Sequence, residues 1–130
     1  MKKITQKDKV IAIIIPAEFE KEGIEFFTPN EYSQQLAYMK RPNGYTITPH
    51  THKLVQREVF NTLETLFIKK GKVRVDFYSD EREFVESVVV KTGDVILLVS
   101  GGHGFEMLEE TEMIEVKQGP FLGDQDKVRF

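Results

Sequence analysis

Short apolar runs, each closed by turn residues, constrain this 130-residue chain more than any other feature. Residues 10–15, Val-Ile-Ala-Ile-Ile-Ile, are continuous, largely β-branched and stopped by Pro16, the pattern of a buried strand. Val73, Val75 and Phe77 alternate with Lys72, Arg74 and Asp76, the pattern of a strand with one buried face. Residues 34–39, 45–52, 62–68, 84–90, 95–99 and 113–116 read as further strands, and Phe105 to Leu108 continue another. Arg41-Pro42-Asn43-Gly44, Lys69-Lys70-Gly71, Lys91-Thr92-Gly93-Asp94 and Glu109-Glu110-Thr111 punctuate them, as turn residues with tolerance for positive φ do. Residues 17–25 fit a short helix or a loop, Phe26 and Phe27 pack on the core, and residues 54–61 form a loop. No long amphipathic helical pattern is present. The expectation is an all-β domain of about nine or ten short strands, paired antiparallel in a sandwich or barrel.

Composition narrows the chemistry. Cysteine is absent, so disulfides and thiolate metal sites are excluded, and any metal must bind through nitrogen and oxygen. A net charge of −3 gives no basic surface for nucleic acid or anionic membrane. The apolar run at 10–15 is followed by Pro16, Glu18 and Glu20, so it reads as a strand and not as a signal peptide. No run is long enough to span a bilayer, and the cytoplasm is the expected compartment. The length fits one domain, residues 1–130, with a core of its own.

The chain has three histidines. His50 and His52, two apart on the strand at 45–52, face one side with Thr46 and Thr48, their Cα atoms about 6.5 Å apart. Glu64 follows His52 after eleven residues, and His103 follows the Ser100-Gly101-Gly102 turn. Three imidazoles and a carboxylate suit one divalent transition metal: Fe, Mn, Ni, Zn or Cu. The candidate metal set is His50, His52 and His103 with one carboxylate, Glu64 or its rival Glu58. Without a metal, His50 and His52 are the candidate catalytic acid and base. The same residues support both mechanisms. Phe105 and Met107 share the His103 face and make the inner wall apolar, while Glu106 faces away. Lys53, Arg57 and Arg129 are candidate contacts for an anionic substrate, since guanidinium forks suit a diphosphate. Tyr38 joins that set, and Tyr38 and Tyr45 flank the hairpin into His50 as candidate proton donors.

Gly44, His50, His52, Glu64 and Gly71 resemble the first motif of the cupins, with eleven residues where three or four usually separate the second histidine from the glutamate. Gly93, Val99-Ser100-Gly101 and His103 resemble the second motif, with valine for proline, a gap one residue short, and Met107 for the usual asparagine. The resemblance implies a cupin-type double-stranded β-helix, the jelly-roll barrel, with the N-terminal strands of residues 1–40 packing on or exchanging between barrels. The longer loop is cheap, since doubling a loop costs only about 0.6 kcal/mol. His50-Thr-His52-Lys53 and the tail Gln118-Gly-Pro-Phe121, Asp124-Gln-Asp126-Lys127 and Arg129 resemble, more narrowly, small cupins of bacterial surface-polysaccharide clusters. These include the WxcM-like nucleotide-sugar 3,4-ketoisomerases, which implies a dTDP-linked deoxyketohexose as substrate and a homodimer. The function expected is that of a small metal-binding cupin acting on or binding a polar, sugar-like molecule, an isomerase among the possibilities. A non-catalytic ligand sensor, an Fe(II) dioxygenase and a dimerisation module are the alternatives.

Overall fold

In a computed structural model, which describes residues 1–130, the short apolar runs become ten strands and one three-residue 3₁₀ turn at Gly123–Gln125. The strands are β1 (Lys2–Gln6), β2 (Lys9–Ile15), β3 (Gly23–Phe26), β4 (Ala37–Lys40), β5 (Glu64–Lys70), β6 (Lys72–Tyr78), β7 (Phe84–Lys91), β8 (Val95–Leu98), β9 (Gly102–Met107) and β10 (Glu112–Lys117). All pairings are antiparallel. One sheet has the order β1-β2-β8-β5-β10, a second the order β7-β6-β9, and β3-β4 form a separate hairpin. The all-β, antiparallel expectation is therefore met. No helix is long and apolar enough to cross a membrane.

Burial explains which runs alternate and which do not. Val73, Val75 and Phe77 of β6 are completely buried and meet Ile4, Ala12, Ile14, Leu66, Ile68, Ile96 and Leu98 of the five-stranded sheet. The other face of β6 is half exposed, hence its clean alternation. Strands β2 and β8 are covered on both faces. Ile13, Ile15 and Leu97 point the other way, into a second cluster with Phe27 and Leu63 that Phe19, Leu36 and Tyr38 close. A strand buried on both faces carries a continuous apolar run, as residues 10–15 do.

Four local expectations need correction. Residues 45–52 form no strand, and every residue from 41 to 61 is exposed. Their only hydrogen bonds are local, from Tyr45 N–H to the Pro42 carbonyl, Thr46 Oγ1 to the Gly44 carbonyl, and His50 Nδ1 with the Thr48 carbonyl. Residues 23–26 are a strand, where residues 17–25 fit a short helix or a loop, because β4 offers them a partner. Phe27 is buried but Phe26 is exposed, since neighbours on an extended chain point to opposite sides. Strand β1 was not expected, because Ile4 is its one buried residue and one apolar position shows no period. Its hairpin to β2 turns through Lys7 and Asp8, both at positive φ, the backbone of a two-residue primed turn.

Candidate functional site

Glu64 opens β5, where it lies opposite Lys117 of β10 and Leu98 of β8. His103 lies on β9 opposite Phe77 of β6. One residue comes from each sheet, and they meet: His103 Nε2 is 3.2 Å from Glu64 Oε2. The cross-strand partner supplies the second contact, with Lys117 Nζ 3.3 Å from Glu64 Oε1. The hydrogen bond from His103 comes first in holding the Glu64 carboxyl at about 2 against the opposing cost of burial; the charge His103 carries when protonated, and the hydrogen bond and charge of Lys117, act in the same direction. Glu64 is therefore a carboxylate at neutral pH. Lys117 is pushed the other way, chiefly by its hydrogen bond to Glu64.

The approach to His103 is fixed by backbone. Ser100 Oγ donates to the Val10 carbonyl, and Gly101 N–H donates to Asp80 Oδ1 at 3.1 Å. Gly101 has φ +68, and a Cβ there would lie 2.2 Å from the Tyr78 carbonyl oxygen. Only glycine fits both the left-handed backbone and the close approach.

Glu64 and His103 line a cavity of about 1360 Å³. The chain's end forms part of its wall, with Asp126, Lys127, Arg129 and Phe130 all lining it. Thr62 Oγ1 hydrogen-bonds Asp126, which anchors the tail beside Glu64. The Phe130 ring packs edge-on against Tyr78 at 5.2 Å, with the Arg82 guanidinium 5.5 Å from its centre.

The other expected site residues are dispersed. His50 and His52 are exposed, with ring centres 5.3 Å apart, and do not line the cavity. Lys53 and Arg57 lie on the same exposed segment. Tyr38 packs against Phe19, ring centres 4.9 Å apart, in the second apolar cluster and away from the cavity. Glu58 and Glu64 both line the cavity, but only Glu64 touches His103. Arg129 is at the wall, 3.4 Å from Asp124. Phe105 lines the cavity beside His103 and Met107 does not, both are exposed, and Glu106 faces away and pairs with Arg74.

Comparison with family models, curated proteins and solved structures found no match.

A divalent metal fits this single chain only in part. Glu64 and His103 converge as two of the four expected donors, but no three His, Asp or Glu side chains come together to hold an ion. The missing donors, His50 and His52, sit on the exposed segment. Sequence reading missed Lys117, Asp126 and Tyr78. Lys117 had a signal, since it ends a strand just before Gly119-Pro120, but its pairing with Glu64 depends on a register that no local pattern gives.

Proposed function

We propose that this chain is a small cupin-like pocket protein that binds a polar, sugar-like ligand and shifts a proton on it, as a nucleotide-sugar ketoisomerase does. The observation that carries the reading is the Glu64–His103 pair inside a cavity of about 1360 Å³. That volume exceeds the usual range of about 300–1,000 Å³ for small-molecule pockets, leaving room for a ligand with a nucleotide attached.

The chemistry follows from the tautomer. The Glu64 carboxylate can only accept, so the 3.2 Å contact is a hydrogen bond donated by His103 Nε2, and in the neutral form of the imidazole Nδ1 is then the acceptor. An acceptor held beside a carboxylate is a general base in orientation and form. On an α-hydroxyketone it takes the proton from the hydroxyl-bearing carbon, giving an enediolate in which the hydroxyl proton passes to the former carbonyl oxygen. Return of a proton to the former carbonyl carbon completes the isomerisation, with no change in composition and no external oxidant. Lys127 and Arg129 at the cavity wall supply cations for a phosphate.

The test is a screen of dTDP- and UDP-linked ketosugars by NMR in deuterium oxide. Deuterium entering the carbon skeleton is the expected result, and His103→Ala is expected to slow it by about 10²–10⁴-fold. Neither binding nor exchange across the screen retires the reading.

A further inference from the structure

We propose that the site is completed in trans: residues 41–57 of a second copy of this chain pair with the open edge of β9 and deliver His50 and His52 to the Glu64–His103 pair. Three observations lead there.

The first is the arm itself. Residues 41–61 are all exposed and make no hydrogen bond to any other element. Yet they include Tyr45, Ile47, Leu54, Val55, Val59 and Phe60, and Leu54 is as exposed as a free side chain, at 104%. Apolar side chains gathered in one segment and left in water mark an interaction surface.

The second is a place for it. Strand β9 is the edge of its sheet, paired only with β6, and its Phe105 and Met107 are exposed. An open edge of this kind templates an incoming strand. Thr46, Thr48, His50 and His52 share one face of an extended chain. Opposed residues on paired strands have Cβ atoms about 4.5–5.5 Å apart, so pairing in register with His103 brings the arm histidines to it.

The third is charge. Residues 41–57 hold Arg41, Lys53 and Arg57, two histidines and no acid. Six carboxylates line the cavity, Glu58, Glu64 and Asp126 among them, against Lys9, Lys127 and Arg129. The arm is basic and the pocket leans acidic. Both halves lie in one sequence, so two copies exchanging arms satisfy each other about a two-fold axis with nothing left over. Ten extended residues reach about 33 Å, against a radius of gyration of about 14 Å for a chain of this size, so the arm is long enough to span to a neighbour.

The proposal shares Glu64 and His103 with the pocket reading above, but its test needs no substrate. The chain has no cysteine, and a Cβ at Gly104 meets nothing within 4 Å, so Thr51→Cys and Gly104→Cys report on the outer face of the arm and of β9. The two variants, distinguishable by mass, are unfolded, mixed and refolded, then treated with a short bis-maleimide. A covalent Thr51–Gly104 heterodimer is expected, with light scattering giving a dimer for the untreated wild type. A monomeric wild type overturns the proposal. So does cross-linking confined within single chains that carry both cysteines, which means the arm closes on its own β9. A second measurement uses Ni²⁺ alone. His50→Ala/His52→Ala chains and Glu64→Gln/His103→Ala chains each lose the ion, and the refolded mixture regains about a quarter of wild-type stoichiometry, since half the dimers are mixed and each has one intact site. Ni²⁺ retained by wild type but never regained by the mixture overturns arm exchange. A wild type that holds no Ni²⁺ overturns the metal role of the four residues, and the cross-link then decides arm exchange by itself.

Discussion

Replacing Glu64 with glutamine isolates what the charge in the pocket contributes to stability. The side chain is 14% exposed, and the carboxylate accepts from His103 at 3.2 Å and faces Lys117 at 3.3 Å. Its carboxyl falls from an ordinary 4.5 to about 2. Taken at face value that is about 3 kcal/mol, at 1.36 kcal/mol per pK unit. His103 and Lys117 are 30% and 24% exposed, so water screens both partners, and about 1–2 kcal/mol is the expected loss at pH 7. The sign follows from linkage. A carboxyl whose pKa is depressed by folding stabilises the native state above its unfolded value. That contribution fades as pH falls from about 4.5 to about 2. Urea unfolding of wild type and Glu64→Gln at pH 7 and pH 3 measures the difference. The gap should be largest at pH 7 and shrink substantially at pH 3. An equal gap at both values, or a variant more stable at pH 7, would refute the argument, since isosteric glutamine then does everything the charge does.

Two further substitutions probe the frame around the pocket. Asp94 is buried, and its carboxylate accepts from the backbone N–H of Ala17 and of Lys91, each at 2.8 Å. Asp94→Ala orphans both donors and should cost about 1–3 kcal/mol in urea unfolding. Gly101→Ala meets both a φ of +68 and the Tyr78 carbonyl. It should cost more than the roughly 1 kcal/mol of left-handed backbone alone, and ligand binding at His103 should weaken with it; an unchanged midpoint would mean that the turn relaxes freely.

The strands of the core were legible because their burial is periodic. Residues 72–77 alternate since one face meets the opposite sheet, and residues 10–15 run continuously since both faces are covered. Glycines at 71 and 93 stand at turns with positive φ, a constraint local enough to show as a residue type. Glu64 and His103 stand out by residue type and by their places in segments that resemble the two cupin motifs, and the fold does bring them together. Strand β1 left no readable pattern, having one buried residue.

The segment at 45–52 carries a strand's alternation without a strand's partner, which marks the boundary between the two kinds of information. Side-chain period is a property of a few consecutive residues, so the sequence by itself determined which segments are able to pair and which face of each is apolar. Pairing needs a second edge at a fixed register, and that edge lies tens of residues away or on another molecule. Only the tertiary structure decided that Lys117 stands opposite Glu64, that the chain's end anchors beside it, and that His50 and His52 remain outside their own pocket. Hydrogen bonds across a sheet are made between distant segments, and distance along the chain is what local patterns do not encode.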